Sequence, residues 1–167
     1  MIERDQLVVM AEYNRWMNAK LYALCAGLSD GERKRDRGAF FKSIHGTLNH
    51  LLFGDRAWLG RFLRKDYGLP KVGVSLYEDY DELRRQRVAT DAEIIDWAKT
   101  LAAEALSKPF TYTSGIDGRT RTLPLWVLST HLFNHQTHHR GQAHALITAC
   151  GEKTEDTDLF IVLPGVL

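Results

Sequence analysis

The stretch His131 to Gln142, HLFNHQTHHRGQ, contains four of the seven histidines in the chain. In a helix, residues four positions apart lie on the same face, so His135 and His139 would point in the same direction. At about 100° per residue, His131, His135, His139 and Gln142 fall within about 80° of one another. Histidine is the commonest neutral metal ligand. The spacing predicts a helix that presents two ligands, and a third must come from elsewhere in the fold. The alternative is a set of core histidines or a solvated stripe.

The third ligand predicted from the sequence is His50, in a second helix that runs from about Gly38 to Leu63. Its neighbours one turn away include Gly46 and Gly54. Glycine inside a helix costs about 1 kcal/mol relative to alanine, so two glycines beside one histidine indicate that space is needed there. His45 points about 140° away from His50 and is interpreted as a surface residue or as support for a ligand.

Besides the second helix, the sequence predicts three other helices. Apolar residues spaced three and four apart predict a first helix from Glu3 to Leu28 and a third from about Leu76 to Leu106. The run FTYTS, GIDG, RTRTL after Pro109 predicts a short β-hairpin. The fourth helix starts at Thr122 and Pro124 and ends at Gly151. We therefore expect an all-α fold, an antiparallel four-helix bundle with a small hairpin between helices 3 and 4.

Length and composition restrict the class of protein. A chain of 167 residues with 44% hydrophobic and 26% charged residues suits one globular domain spanning 1–167. Its 22 basic and 21 acidic residues give a net charge of +1, which favours neither nucleic acid nor a membrane as partner. No apolar leader or run of about 18 apolar residues is present, so we expect a cytoplasmic protein. Cys25 and Cys150 form no CxxC motif and are expected to be buried, reduced thiols.

The predicted ligand set indicates the kind of metal site. Three imidazoles leave coordination positions open to water or substrate, which is typical of a catalytic metal. Imidazole suits zinc, nickel, copper and iron, so the ligands do not choose the ion. We expect His131 and Gln142 either to polarise a metal ligand or to line the pocket and touch substrate. Asn14 is a further pocket candidate, although it could equally be a satisfied core amide. The cavity beside the metal is expected to be lined by small residues of the second helix and one side of the first, namely Gly46, Gly54, Ala57 and Asn14 to Asn18.

The sequence resembles the DinB/YfiT-like family of metal-dependent enzymes. The resemblance rests on YNRWMN at 13–18, LNHLLFGDRAWL at 48–59 and HLFNHQTHHRGQ at 131–142, in that order. It implies a four-helix bundle, often dimeric, that holds a divalent metal, usually nickel or zinc. Carried over by motif, the ligands would be His50, His135 and His139. Members of the wider family are similar to thiol S-transferases and thiol-dependent isomerases.

Two functions are compatible with these features. The first is a metal-dependent hydrolase or thiol S-transferase that acts on a small molecule, with a low-molecular-weight thiol as a candidate partner. The second is a metal-binding or stress-responsive binding module without turnover. The sequence has no GxSxG motif, no phosphate-binding glycine loop and no glutamate beside the HxxxH motif as in a zinc protease. Activity toward pairs of thiol and electrophile would separate the two functions.

The far side of the fourth helix predicts a second contact surface. An additional apolar stripe there must be covered, because a bundle helix needs only one buried stripe. The stripe consists of Trp126, Phe133, His144 and Ile147. Its cover would be either the C-terminal tail, with Leu159, Phe160, Ile161 and Val162, or a second subunit. We expect a two-fold homodimer that uses part of this surface.

Overall fold

Four long helices form a bundle in residues 3–115 and 117–161, which the computed structural model describes. The long helices are α1 (Arg4–Ala26), α3 (Ile44–Leu63), α4 (Tyr80–Thr100) and α5 (Leu125–Thr148), and α2 (Asp30–Lys34) is a short helix between the first two. A 3-10 turn at Ala103–Ser107 and the strands β1 (Pro109–Thr113) and β2 (Thr120–Pro124) lie between α4 and α5. The prediction of an all-α bundle with a small hairpin is confirmed.

The helices pack in two antiparallel pairs. Helix α1 packs against α4, where Glu12 meets Lys99, and α3 packs against α5. Helices α3 and α4 run in the same direction, because Asp55 pairs with Arg87 and Arg56 bonds to Thr90. Lys65, two residues past the end of α3, then bonds to Glu93 further along α4. Consecutive parallel helices need a connection that returns along the bundle, and residues 64–79 supply it.

Two of the long helices begin later in the chain than predicted, because side chains cap their N-terminal ends. Helix α3 begins at Ile44 and not at Gly38, because the Ser43 hydroxyl accepts a hydrogen bond from the amide of Gly46. Helix α4 likewise begins after Asp79, whose carboxylate accepts from the amide of Glu82. The segment between α1 and α3 contains the short helix α2, which is capped by Ser29. Asp36 accepts a hydrogen bond from the amide of Gly38 in the turn that follows α2.

The hairpin has the predicted antiparallel register. Phe110 lies opposite Leu123 and Tyr112 lies opposite Arg121. Successive side chains on a strand point to opposite faces, so Phe110 and Tyr112 share a face. Both contact α3 through aromatic rings, Phe110 against Phe62 at 5.7 Å and Tyr112 against Trp58 at 5.1 Å between centroids. The hairpin is therefore anchored on the end of α3 that lies away from His50.

The second apolar stripe of α5 is part of the bundle core, and its prediction as a dimer or tail contact is wrong. Phe133 packs in a core cluster with Leu7, Ile94 and Ala98, while Ile147 is fully buried in a second cluster. Trp126 is partly buried against the first of these clusters. Helix α5 touches both α1 and α3, so it buries two stripes within one chain.

The described part of the C-terminal segment follows α1 and does not cover α5. The Tyr13 hydroxyl donates to the carbonyl of Thr157 at 2.6 Å, and the Lys20 ammonium donates to the carbonyl of Asp156 at 2.9 Å. Leu159, Phe160 and Ile161 are exposed, and Val162 lies outside the described residues. The segment is thus fixed by polar contacts to the first helix.

A buried polar layer crosses the middle of the bundle. Every long helix contributes to it, and its members are Asn14, Asn18, Asp55, Arg87, Asp91, Gln136 and Arg140. The Arg87 guanidinium pairs with Asp55 at 2.6 Å and with Asp91 at 2.8 Å. The Arg140 guanidinium donates to the side-chain oxygens of Asn14 and Gln136, so the two guanidinium groups and two carboxylates of the layer balance in charge and are hydrogen-bonded.

Asn14 belongs to this layer and does not face the cavity. Its side-chain amide donates to Asp91 at 3.2 Å and its oxygen accepts from Arg140. Asn18 donates to the same carboxylate at 2.9 Å. Only 1% of Asn14 is exposed, so the prediction that it is a pocket residue is wrong and the satisfied core amide is the correct alternative.

Candidate metal centre

Three imidazoles from two helices meet at one point. The Nε2 atom of His50 on α3 lies 3.1 Å from Nε2 of His135 and 3.2 Å from Nε2 of His139, both on α5. Each of the three side chains is partly buried, and one ligand atom from each lies within 4.8 Å of the others. His135 and His139 are one turn apart on the face of α5 that packs against α3, so both rings reach the ring of His50.

Gly54 makes the position of His135 possible. A Cβ atom at Gly54 would lie 2.6 Å from Cε1 and 3.1 Å from Nδ1 of the His135 ring. The ring therefore occupies the volume that any other side chain would need, as the sequence suggested. Gly46 has a different reason, because a Cβ atom there would lie 2.2 Å from the carbonyl oxygen of Phe41.

Gln142 orients His139. Its side-chain oxygen accepts from Nδ1–H of His139 at 2.7 Å, and its amide nitrogen bonds to Nε2 of His138 at 3.2 Å. The hydrogen on Nδ1 leaves a lone pair on Nε2, which faces His50. An acceptor behind a histidine fixes its tautomer and raises its basicity as a ligand. Gln142 is thus a support for one histidine and does not line either cavity described below.

Phe41 covers the centre from the side of the loop before α3. Its ring stacks on His50 with centroids 3.8 Å apart and planes inclined by 18°. It also meets His139 edge-on at 5.4 Å. An apolar cover on one side leaves the opposite side of the three nitrogens as the approach for other molecules.

The three histidines are held in their neutral form. Burial, with a smaller effect of the His139 charge, lowers the pKa of His50 to about 4. Burial and the neighbouring imidazoles lower the pKa of His135 to about 3, and burial also lowers the pKa of His139. Neutral imidazole is the form that binds a metal.

The nitrogen spacing suits a divalent ion. Ligand nitrogens about 2.0–2.1 Å from a metal are about 3.4 Å apart at tetrahedral angles and about 2.9 Å apart at right angles. The observed 3.1 and 3.2 Å lie between these values. The lone pair of His139 would repel a second lone pair on His50 unless a proton or cation lies between them. The chemistry and geometry of the three side chains therefore fit a metal ion, and imidazole does not select which one.

A cavity of about 1060 Å³ opens beside the centre. His50 and His135 form one end of it, and Gly54 and Ala57 line it as predicted. Gly46 instead lines a second cavity of about 540 Å³ on the opposite side of His50. Volumes of this order are typical of small-molecule sites.

His131 lies in the wall of the larger cavity, one turn of α5 from His135. The two rings are 5.9 Å apart, and the His131 ring meets Trp58 edge-on at 5.1 Å. His45 is 3% exposed, and its Nε2 atom bonds to the carbonyl of Tyr77 at 2.9 Å. The surface interpretation of His45 is therefore wrong, and its contact is to the 64–79 connection.

Sequence reasoning missed the residues that form the far end of the cavity. Trp58, Arg61 and Tyr112 lie there, with the hairpin residues Ser114 and Asp117. The signal for Arg61 was present, because His50, Gly54, Ala57 and Arg61 are spaced four, three and four apart and share one helix face. Nothing in the local pattern of the hairpin indicated which helix Tyr112 contacts.

A four-helix bundle with three convergent imidazoles beside an open cavity defines a helical protein with a candidate metal site. The chain belongs to the DinB family, whose sequence profile matches residues 1–163. It is 26% identical over 162 residues to Protein DinB of Bacillus subtilis (strain 168), covering 91% of this chain and 90% of that protein.

The fold is also similar to a crystal structure of a DinB-like protein from Bacillus cereus ATCC 10987. The TM-score is 0.60 at 15% sequence identity, over 84% of this chain and 90% of that chain. At this identity the likeness concerns the fold alone. In the part of the chain that the structure describes, no helix combines the length and apolar character needed to cross a membrane.

Proposed function

We propose that this chain is a divalent-metal-dependent enzyme that acts on a small molecule. His50, His135 and His139 would be the ligands, with nickel or zinc as the candidate ions. The supporting observation is the convergence of three neutral imidazoles at the end of a cavity of about 1060 Å³. The Nε2 atom of His50 lies 3.1 Å from Nε2 of His135 and 3.2 Å from Nε2 of His139. A structural metal site would be closed on all sides, whereas this one has an approach.

The candidate reactions are hydrolysis and transfer of a thiol to an electrophile. A bound divalent ion supplies Lewis acidity, which makes a water or thiol nucleophilic at neutral pH. In thiol transfer, the thiol loses its proton, sulfur bonds to the electrophilic carbon, and the leaving group departs with the electron pair. The chain itself contributes the orientation of His139 by Gln142, the apolar cover by Phe41, and a cavity wall that includes Trp58 and His131.

Metal content and turnover test this proposal together. We expect about one divalent ion per chain in the native protein, and loss of that ion in His135→Ala. His144→Ala is the matched control, because His144 lies on the same helix outside the cluster. The loaded protein is then assayed with thiol and electrophile pairs and with ester and amide substrates. Equal metal content in the wild-type protein and His135→Ala would refute the ligand assignment.

A metal-binding module without turnover is the competing function. It would give stoichiometric metal in the wild-type protein and no reaction above that of free metal with either substrate class. The open cavity favours the enzyme, because a module that only senses metal needs no space beside the ion.

We further propose a cytoplasmic homodimer. The unpaired thiols Cys25 and Cys150 suit a reducing compartment, and the dimer is implied by the family resemblance. The stripe on α5 cannot be its interface, since Phe133 and Ile147 are buried within one chain. Light scattering across micromolar concentrations tests the dimer, and a constant monomer mass would refute it.

A further inference from the structure

One cation in the larger cavity has an unusual position. Arg61 lies on the same face of α3 as His50 and Gly54, at the far end of the cavity wall. Its guanidinium folds back toward the centre, because its Nη1 donates to the carbonyl of Ala57 at 3.0 Å. Side chains on a helix lean toward its N-terminus, which here is the direction of His50.

Aromatic rings hold this guanidinium in place. It lies 4.6 Å from the ring centroid of Trp58 and 5.5 Å from that of Tyr112. Contact with aromatic faces restricts the orientation of the planar group and removes water from it. Burial accordingly lowers the pKa of Arg61, although an arginine remains charged at neutral pH. The group is thus a positioned, partly dehydrated cation.

The charge of Arg61 is not balanced by a carboxylate. No ion pair involves Arg61 within residues 3–115 and 117–161. In contrast, Lys65 pairs with Glu93 at 2.6 Å and Arg121 pairs with Asp117 at 2.5 Å. A partly buried cation without a counter-charge is costly for the free protein, and a bound anion would relieve that cost.

The cavity as a whole is positive. Six lysine and arginine side chains line it against the two carboxylates of Asp66 and Asp117, although the whole chain has a net charge of only +1. Arg64 and Lys71 lie at the exposed rim, and Arg56 already donates hydrogen bonds to Thr90, Tyr77 and Gln86. A cavity lined by one sign of charge concentrates ligands of the opposite sign.

We propose that the substrate carries a carboxylate, which binds Arg61 between Trp58 and Tyr112 while its reacting end lies at His50 and His135. This inference rests on the proposed metal-dependent function and names its substrate class. The Arg61 guanidinium carries one positive charge, and its remaining N–H groups suit the two oxygens of a carboxylate.

The positions along α3 set the length of such a substrate. Because the guanidinium folds back to the level of Ala57, about seven residues at 1.5 Å each separate it from His50, a distance of about 10 Å. The reacting atom and the carboxylate should therefore be separated by a chain of this order. His131 lies between the two ends, with its ring near His135 on one side and Trp58 on the other, and these rings suit an apolar connecting chain.

Thiol acids of increasing length provide a direct test. Mercaptopropionate, mercaptohexanoate and mercaptooctanoate are titrated calorimetrically into zinc-loaded protein, each against the thiol alcohol of equal length. We expect the longer acids to bind at least about tenfold more tightly than the alcohols, the gain of a charge-assisted hydrogen bond. Arg61→Gln should abolish the difference, Arg61→Lys should keep part of it, and Arg64→Gln, at the rim, should keep most of it.

A metal-free comparison separates this inference from the proposed function. Octanoate and octanol are titrated into metal-free wild-type protein and Arg61→Gln, so that no sulfur or metal takes part. Preference for octanoate in the wild-type protein alone supports the carboxylate site. Equal binding of acid and alcohol, or an equal preference in Arg61→Gln, overturns it and leaves the metal proposal intact. Failure of the wild-type protein to take up either zinc or nickel refutes the metal proposal instead, while the octanoate comparison still decides the role of Arg61.

Discussion

Replacing Gly54 by alanine should weaken metal binding through a single contact. The added Cβ atom would lie 2.6 Å from Cε1 of His135, whereas ordinary contacts begin at 3.4 Å. The ring would have to move by about 0.8 Å, several times the deviation of about 0.2 Å that a metal–ligand bond tolerates. We expect affinity to fall by at least about 10–100-fold, the range found when the support of a ligand is removed.

Competition with a chromogenic chelator measures this change, and Gly141→Ala is its control. Gly141 lies two residues after His139 on α5, and a Cβ atom there meets nothing within 4 Å. That variant should keep the wild-type affinity and gain about 1 kcal/mol of helix stability. Wild-type affinity in Gly54→Ala, with native circular dichroism, would show that the position of His135 does not determine metal binding.

Three further predictions concern the site and the layer behind it. Gln142→Ala should weaken metal binding about 10–100-fold by freeing the His139 ring, and Gln142→Glu should restore it, as measured by the same competition assay. Arg87→Met should lower the free energy of unfolding in urea by about 3–5 kcal/mol, because it leaves buried carboxylates without their counter-charge; a loss below about 1 kcal/mol would contradict this. Metal-free protein should lose stability as the pH falls from about 6.5 toward about 4. The pKa of histidine is about 6.5 in the unfolded chain, but about 4 for His50 and about 3 for His135 in the folded protein, so protons bind preferentially to the unfolded chain in this range. Replacing both histidines by alanine should flatten that loss in denaturant titrations at each pH.

The helices and the meeting of three histidines could be predicted because both depend on local spacing. His135 and His139 are one turn apart in any helix, and Gly54 beside His50 indicated a need for space. These features depend on the backbone geometry of a single element. The pairing of α3 with α5 could be predicted because the metal requires a third ligand, which the sequence assigned to His50. That requirement comes from coordination chemistry and not from helix packing.

The buried polar layer and the carboxylate site depend on contacts between helices and could not be predicted in this way. Asn14 interrupts an apolar face, and the sequence alone does not say whether Asp91 or a cavity lies opposite. The pairing of Arg87 with Asp55 joins residues on separate helices, while the charges around Arg87 resemble an ordinary solvated face in sequence. Similarly, the sequence predicts that the tail or a second subunit covers Phe133, because the pattern does not state how many neighbours α5 has within the chain.

The hairpin has a consequence for how this protein can change over evolution. Its strands pair only with each other among the described residues, and it lines the cavity through Tyr112, Ser114, Gly115 and Asp117. The three histidines, by contrast, come entirely from helices of the bundle. Insertions, deletions or exchange of the hairpin can therefore alter which molecules enter without disturbing the imidazoles. Such a division would let related chains diversify in ligand preference while inheriting one reactive centre.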